Sequence, residues 1–247
     1  MPSFAADEKA DLLMRALSAN LGLDTIERDR FDQIDLALRH FVKGECIHNL
    51  GDEVTHLYCI TEGWITAITT LANGERQLMN FHVPYDMIGF EYLGRATATS
   101  TLLASEAVEV IAVPIARFKD IVFSQPDMAA AVTSLMSRKY GALQARLCVM
   151  ANGNATSKVA HFLQGLRSKQ IRNGFSRPNL LRIPLTQLDM ADALGMTNAT
   201  VSRVFTKLEK NGCIKFKSGN IEILDHGKLE SLTRATTGSS AYIDEFD

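Results

Sequence analysis

A segment near the end of the chain, residues 184–224, concentrates side chains that can read the surface of a nucleic acid. Arg203 carries a planar guanidinium that can donate two hydrogen bonds to the O6 and N7 acceptors of guanine, and Ser202 beside it can reach an adjacent base. Groups that suit phosphate oxygens surround this pair: Thr186, Gln187, Thr197, Thr200, Lys207, Lys215 and Lys217. These residue types predict recognition of DNA, although each lysine can also be an ordinary solvated charge.

Two short helices joined by a glycine turn would position these side chains. The pattern predicts one helix over residues 184–194, ended by Gly195, and a second helix capped by Thr197. The apolar positions expected to face inward are Leu188, Ala191, Leu194, Val201, Val204 and Leu208. Such a helix-turn-helix projects the front of its second helix outward.

Two short strands follow, residues 213–217 and 221–224, and they predict a wing beside the second helix. Cys213 opens this wing and allows two interpretations. Oxidation of its thiol would place a polar group near the DNA and weaken binding. Alternatively, Cys213 is a small buried hydrophobic residue.

The net charge of −2 is distributed unevenly, with −6 over residues 1–154, +7 over residues 155–235 and −3 over residues 236–247. A basic back third indicates that this part alone meets a polyanion, although composition does not distinguish nucleic acid from another acidic partner. No zinc spacing, catalytic constellation, phosphate loop or long apolar run stands out. These features predict a cytoplasmic, non-enzymatic protein with no metal, no cofactor and no membrane contact.

The first half of the chain has a different pattern. Five short strands are predicted between turn signals, over residues 45–48, 56–61, 64–70, 76–81 and 107–113. Strands of this length and spacing are typical of a sandwich or barrel. Residues 7–19 and 24–38 before them are predicted to be helical, with Asp24 and Thr25 as caps of the second piece.

A helix of about 25 residues is predicted after Pro126. One narrow apolar stripe follows it at spacings of three and four, formed by Ala129, Val132, Met136, Tyr140, Leu143, Leu147 and Met150. Such a stripe is typical of a seam between two helices, which predicts a homodimer; the alternative is packing on the chain's own β domain. Residues 152–154 then break the helix, and another is predicted over 155–171 with Thr156 or Ser157 as its cap.

The chain resembles the CRP/FNR superfamily of bacterial transcription regulators over nearly its whole length, and within it the FNR and FixK-like side. The matching motifs at the rear are Gly174-Phe-Ser176, Leu185-Thr186, Ala191-Asp-Ala-Leu-Gly-Met-Thr197, Thr200-Val-Ser-Arg203 and Leu208-Glu-Lys-Asn-Gly212. Those at the front are Glu62-Gly63, Gly74-Glu75, Phe81-His82 and Gly89-Phe-Glu91.

This resemblance implies an α+β protein with an N-terminal cyclic-nucleotide-binding-like β-roll, a long dimerisation helix and a C-terminal winged helix-turn-helix. The expected boundaries are 1–115 for the β-roll domain, 116–153 for the dimerisation helix, 154–235 for the DNA-binding domain and 236–247 for an acidic tail. A homodimer would bind double-stranded DNA at a near-palindromic promoter site and act through RNA polymerase. The alternative is a small-molecule-binding β-roll whose winged helix contacts protein.

The resemblance also directs attention to the sensor. A cyclic-nucleotide receptor of this family holds its phosphate with an Arg-Ser pair, and the corresponding positions here are Ala98 and Thr99. Because an uncompensated buried phosphate is costly, cyclic AMP is not the predicted effector. The residues that would line an effector pocket are Gly89, Glu91, Arg95, Thr99 and Ser100.

Two other sensor types of the family lack their ligands in this sequence. No cysteine precedes Cys46 to hold an iron-sulfur cluster, and Phe90-Glu-Tyr92 stands where a haem-binding histidine would follow Gly89. The prediction is a regulator that is controlled by its amount or by a small molecule that the residues do not identify.

One departure from the family concerns the base-reading positions. Ala199 occupies the place of the usual glutamate, which accepts a hydrogen bond from cytosine N4, whereas an alanine methyl can only touch thymine. Asn198 beside it can read an adenine edge or act as a helix cap. The family's DNA half-site is therefore not expected unaltered.

Overall fold

The order of helices and strands divides the chain into two parts. The computed structural model describes residues 6–23, 29, 31, 34–72, 74, 76–175, 177, 179–217 and 220–237. Two compact units are present, Met1–Met136 and Ser137–Asp247, and the division between them falls inside one long helix.

The first unit consists of strands flanked by helices. Its strands are β1 (Ala37–Phe41), β2 (Cys46–His48), β3 (His56–Glu62), β4 (Ile65–Thr70), β5 (Arg76–His82), β6 (Met87–Ile88), β7 (Thr101–Ala104) and β8 (Val108–Pro114). Its helices are α1 (Ala6–Leu21), a 3-10 helix (Phe90–Leu93), α2 (Ile115–Ser124) and the first part of α3 (Pro126–Asn152). The five strands predicted from the sequence are all present.

Two four-stranded antiparallel sheets form the β-roll, with strand orders β1-β8-β3-β6 and β2-β7-β4-β5. Side chains of a strand point alternately to opposite faces. In β3, Tyr58 and Ile60 accordingly pack between the sheets, whereas Leu57 and Cys59 pack against the helices. The sheet with β3 is thus covered on both faces, which explains its nearly continuous apolar sequence.

A tight turn joins β3 to β4. Gly63 has φ of +82°, and a Cβ atom there would lie 2.2 Å from the carbonyl oxygen of Ala107. Only glycine fits this backbone conformation without displacing the neighbouring segment at Ala107. The Glu62-Gly63 motif therefore has a local structural cause.

The helix predicted over residues 24–38 is wrong at its end, because Ala37–Phe41 is strand β1. β1 pairs with β8, and Ala37 lies opposite Ala112. A partner so distant in sequence leaves no local signal, and the apolar residues before it resemble a helical period. Asp24 and Thr25, the expected caps, lie outside the described residues.

The second unit begins with the last part of α3 and continues through α4 (Ala155–Arg172), β9 (Leu180–Arg182), α5 (Gln187–Leu194), α6 (Asn198–Lys210), β10 (Ile214–Lys217), β11 (Asn220–Ile223) and α7 (His226–Thr237). The three strands form one antiparallel sheet in the order β10-β11-β9. Asn154, and not Thr156 or Ser157, caps α4, because its Oδ1 accepts a hydrogen bond from the Ser157 backbone at 3.0 Å.

Helix α4 lies at the centre of this unit and is buried on most of its surface. It packs against α6 and α7. The Thr233 hydroxyl of α7 donates a 2.7 Å hydrogen bond to Gln164 Oε1 of α4, and both side chains are buried. This core supports the helix-turn-helix from behind.

Candidate nucleic-acid interface

Local hydrogen bonds define both ends of the helix-turn-helix. Thr186 caps α5: its Oγ1 accepts from the Asp189 backbone at 3.1 Å, while Asp189 Oδ2 accepts from the Thr186 backbone at 2.9 Å. Gly195 ends the helix with φ of +59°, a left-handed conformation that favours glycine. Thr197 then caps α6, accepting from the Thr200 backbone at 3.2 Å. The predicted turn and the predicted Thr197 cap are confirmed.

Helix α6 is strongly two-sided. Its buried face consists of Val201, Val204, Phe205 and Leu208. The exposed face carries five of the eleven residues predicted to meet DNA, together with Thr206: Asn198, Ala199, Ser202, Arg203, Thr206 and Lys207. Polar side chains therefore cover one continuous surface of the helix.

Arg203 lies along this exposed face. Its Nε donates to the Ala199 carbonyl oxygen at 3.3 Å, and its Nη2 donates to the Thr200 hydroxyl oxygen at 3.2 Å. Both bonds are exposed, so water or a base can replace these partners at little cost. The guanidinium is thus held on the front of the helix and can be extended outward.

The threonines near the helix ends are engaged within the chain. The Thr186 hydroxyl donates to Asp189 Oδ2 at 2.7 Å, and the Thr197 and Thr200 hydroxyl oxygens are 2.9 Å apart. Their first role is to hold the two helix starts. Gln187, in contrast, is exposed at the beginning of α5.

The wing is attached directly to the end of α6. Glu209 Oε1 accepts a hydrogen bond from the Phe216 backbone at 3.3 Å, and the rings of Phe216 and Phe205 are 5.6 Å apart. Lys215 is exposed on β10, and the backbone of Lys217 pairs with Asn220. These contacts place the basic wing strand beside the recognition helix.

Cys213 is buried at the start of the wing, which agrees with the hydrophobic interpretation of this residue. Burial raises the pKa of its thiol above the ordinary value, although the nearby Lys228 opposes that effect. Because the thiolate is the form that reacts, this environment disfavours oxidation.

The inner face of α5 differs from the prediction at Leu188, which is 58% exposed. Met190, Ala191, Ala193 and Leu194 form the buried face instead. The helix begins three residues later than predicted, at Gln187, so Leu188 lies in its first turn, outside the packed interface.

The predicted dimer stripe of α3 is divided between two environments. Val132 is buried in the core of the first unit, and Ala129 and Met136 pack against the same core. Tyr140, Leu143 and Leu147 are 63%, 62% and 67% exposed, and Met150 is half-buried. Packing on the chain's own β domain, the alternative for the stripe, therefore accounts for the first three positions, whereas Tyr140, Leu143 and Leu147 remain exposed.

The predicted effector residues lie around two buried rings that the sequence reasoning missed. The rings of His48 and Tyr92 are 5.9 Å apart and edge-on. His48 lies near the main chain of Ser100, and Tyr92 lies near Thr99. Burial lowers the pKa of His48, although the nearby Asp52 and Glu91 carboxylates oppose this effect. His48 and Tyr92 are far apart in the sequence, so local sequence patterns did not predict this cluster.

The resemblance assigns the two phosphate-binding positions of a cyclic-nucleotide receptor to Ala98 and Thr99. Ala98, at the position that would supply the cation, is buried with Val54 and Tyr92. Its backbone is held on both sides, since its N–H donates to the Asp52 carbonyl and its carbonyl oxygen accepts from the Gly51 N–H, each at 2.9 Å. Gly89 precedes the 3-10 helix with φ of +108°, and Arg95 is exposed beyond that helix.

Some kinds of site are absent from the described part of the chain. Within the described ranges, no group of three or more His, Cys, Asp and Glu side chains is arranged to hold a metal ion. None of the helices described is both long and apolar enough to cross a bilayer.

A capped helix-turn-helix with a polar, arginine-bearing outer helix and an attached basic wing defines a winged-helix DNA-binding protein. Residues 157–232 match the Crp-like helix-turn-helix domain family, and residues 38–125 match the cyclic nucleotide-binding domain family. The chain is 30% identical to the nitrogen fixation regulation protein FixK of Bradyrhizobium diazoefficiens over 227 residues, covering 92% of this chain and 94% of FixK. It is 28% identical to the fumarate and nitrate reduction regulatory protein of Escherichia coli over 214 residues, covering 87% and 85%.

The solved structure of FixK2 from Bradyrhizobium japonicum has the same fold, with a TM-score of 0.71 and 21% identity over 80% of this chain and 96% of that one. The chain belongs to the CRP/FNR superfamily of transcription regulators. It is a DNA-binding transcriptional regulator, as the resemblance predicted, and both of these relatives are regulators and not enzymes.

Proposed function

We propose that the protein binds a near-palindromic promoter site as a homodimer and reads each half-site through Arg203. The observation that carries this proposal is the outer face of α6, where an exposed guanidinium is held between Ala199 and Thr200 by two replaceable hydrogen bonds. Guanine offers two acceptors at the spacing of the guanidinium donors. Each half-site is accordingly expected to contain a guanine.

Base readout requires contacts to the DNA backbone that fix its register. Gln187 at the start of α5, Lys207 at the end of the outer face of α6 and Lys215 on the wing are exposed around Arg203. They are proposed to bind phosphates, as is Lys217. Thr186, Thr197 and Thr200 contribute by holding the helix starts, and their neighbouring backbone N–H groups face the DNA with the favourable end of the helix dipole.

Neighbouring base pairs are proposed to be read by short side chains. Ser202 and Asn198 are exposed beside Arg203, and Ala199 offers only its methyl group. A methyl group selects, at most, the C5-methyl of thymine. The half-site is therefore expected to differ from one chosen by a glutamate at this position.

The homodimer is proposed to form through the exposed part of the α3 stripe. Tyr140, Leu143 and Leu147 are the large apolar residues that α3 leaves in solvent, at helical spacing of three and four. Two copies of this stripe related by a two-fold axis would pack against each other. Recognition helices would then lie about 34 Å apart, in successive major grooves.

The effector of the protein and the way in which it regulates transcription are also part of the proposal. We propose that cyclic AMP is not the effector, because Ala98 fills the cation position with a buried methyl group. The protein is proposed to act in the cytoplasm and to regulate transcription by contact with RNA polymerase. Its amount, or a small molecule of another kind, would control it.

Nuclease footprinting on genomic fragments tests the proposal. The expected result is protection of discrete sites with two-fold symmetry, and Arg203→Ala should protect them only at a much higher protein concentration. The matched control is Thr206→Ala on the same exposed face, which should leave the positions of the footprints unchanged. Uniform protection without preferred sites, or none at all, would favour the alternative in which the winged helix contacts protein.

A further inference from the structure

A partly buried arginine joins the proposed dimerisation helix to the helix-turn-helix. Arg146 lies in α3, and its Nη2 donates a 3.3 Å hydrogen bond to the carbonyl oxygen of Ala193. Ala193 belongs to the last turn of α5. Both residues are in the second unit of the chain, so the contact is internal to that unit.

This contact completes the end of α5. The Gly195 N–H donates to the Asp192 carbonyl oxygen at 3.4 Å and the Met196 N–H donates to the Ala191 carbonyl oxygen at 3.0 Å, as expected for a helix that ends at a left-handed glycine. The guanidinium of Arg146 takes the next carbonyl, that of Ala193. A cation at this end of a helix also interacts favourably with the helix dipole.

The place of the contact in the fold gives it a second consequence. The helix α5 ends one residue after Ala193, and the turn to α6 follows at once, so the orientation of the recognition helix depends on this end of α5. Arg146 also lies beside the buried His161 of α4, whose pKa is lowered first by burial and then by the Arg146 charge. Arg146 therefore links α3 to α5 and acts electrostatically on a buried residue of α4.

An adjacent face of the same part of α3 carries the exposed stripe. Leu143 and Leu147 lie within one helical turn of Arg146 and are largely exposed, whereas Ala145 and Val149 face the interior. A partner that packs on Leu143 and Leu147 would thus hold the backbone that Arg146 ties to α5. The direction of each recognition helix relative to the two-fold axis would then depend on this contact.

We propose that Arg146 is a positioning residue that sets the spacing between the two DNA half-sites read by the dimer. It touches no base in this scheme; it holds the last turn of α5 at a defined angle to the dimerisation helix. Because the residue is partly buried and its N–H donors are directional, the angle is restricted. The inference rests on the proposed homodimeric reading of a near-palindromic site.

The experiment compares three kinds of duplex: a single half-site, the palindrome with its selected spacing, and palindromes with one base pair added or removed. Dissociation constants are measured by fluorescence anisotropy for the wild type, Arg146→Gln, Arg146→Lys and the matched control Lys139→Gln. Lys139 is an exposed cation of the same helix, so its variant removes the same charge and leaves the bond to α5 in place. Circular dichroism shows whether each variant is folded.

For Arg146→Gln we expect half-site affinity within about threefold of the wild type, because α6 is unchanged. The preference for the selected spacing is the ratio of the dissociation constants for the altered and the selected palindromes. This ratio should fall by about tenfold, the size expected for one hydrogen bond to a charged group. Arg146→Lys keeps a cation that can reach the Ala193 carbonyl, so its preference should fall by only about threefold. Lys139→Gln should keep the wild-type preference.

The proposal would be overturned if both Arg146 variants kept the spacing preference of the wild type. It would also be overturned if their affinity decreased equally for all duplexes, because that result would indicate a merely stabilising role. If Arg146→Gln does not fold, the spacing preference of Arg146→Lys decides. A wild-type protein that binds no duplex, or that gains nothing from a second half-site, would instead refute the proposed function, and this outcome is distinguishable from the others.

Discussion

Replacing Arg203 with alanine removes the proposed guanine contact and leaves the fold unchanged. The side chain is exposed, and its only described partners are the Ala199 carbonyl and the Thr200 hydroxyl of its own helix, at 3.3 Å and 3.2 Å. Alanine is the best helix former, so α6 should keep its structure. Any change in DNA binding would then report the contact with DNA.

The expected magnitude follows from the two half-sites. A bidentate pair with guanine contributes about 1 to 3 kcal/mol of discrimination. The two hydrogen bonds given up on extension of Arg203 are exposed and exchange with water, so they subtract little. For a dimer with two half-sites, binding should weaken by about 2 to 6 kcal/mol, which raises the dissociation constant by at least about 30-fold.

The assay is competition binding on duplexes in which the proposed guanine of each half-site is changed in turn. The wild type should bind more weakly with each change, whereas Arg203→Ala should be nearly indifferent, so the protein and DNA changes are strongly non-additive. Lys215→Ala is the control for a phosphate contact. It should weaken binding to all duplexes alike and reduce the slope of affinity against salt by about 0.9 for each phosphate that Lys215 neutralises.

A different result would assign Arg203 another role. If Arg203→Ala weakens binding to all duplexes in the same ratio as Lys215→Ala, Arg203 binds a phosphate and not a base. Base preference would then come from DNA shape or bridging water.

The other predictions concern association, pH, effector and specificity. The double variant Leu143→Glu, Leu147→Glu should be monomeric in sedimentation experiments, because a dimer would bury unpaired charges at a cost of several kcal/mol. The control Phe123→Glu changes another exposed apolar residue and should remain dimeric. A dimeric double variant would place the dimer seam elsewhere. Burial and a neighbouring cation lower the pKa of His161 to about 4, below its ordinary value of about 6.5. The unfolded state therefore binds the proton more tightly, and this histidine should lower the free energy of unfolding in urea by up to about 3 kcal/mol as the pH falls from 6.5 to 4. His161→Gln should lose this part of the decrease and keep the part due to other histidines of lowered pKa, such as His48; identical pH profiles of the variant and the wild type would contradict this. Calorimetric titration with cyclic AMP should give no binding at micromolar concentration, and saturable binding accompanied by tighter DNA binding would overturn the claim. Ala199→Glu should shift selected sites toward cytosine at one position of each half-site, and identical selected sites would show that this residue does not read the base.

The recognition end of the molecule could be predicted from the sequence because its signals are local. Thr197, Gly195 and the alternation of apolar and polar positions in α6 all lie within a few residues of the structure they specify. Caps, turns and helical faces depend on near neighbours, so their residue types suffice. Five of the eight strands of the β-roll, β2, β3, β4, β5 and β8, were predictable for the same reason.

Features that depend on distant partners were missed or misassigned. Strand β1 exists because β8 pairs with it from the other end of the domain, and His48 meets Tyr92 only after the roll has closed. The stripe of α3 shows the same limit, since helical spacing does not reveal that Val132 packs on its own domain whereas Leu143 is exposed. Arg146 had no sequence signal, because its partner is a backbone carbonyl.

In the proposed mechanism, a homodimer reads DNA bases through α6. This can be tested by selecting bound sequences from a random DNA library with the wild-type protein. We predict enrichment of a near-palindrome whose half-site centres lie about one helical turn, roughly 34 Å, apart, with a guanine at equivalent positions of both halves. Selection with Arg203→Ala should no longer enrich that guanine. Enrichment of a single asymmetric site, or of no sequence at all, would contradict dimeric reading through α6.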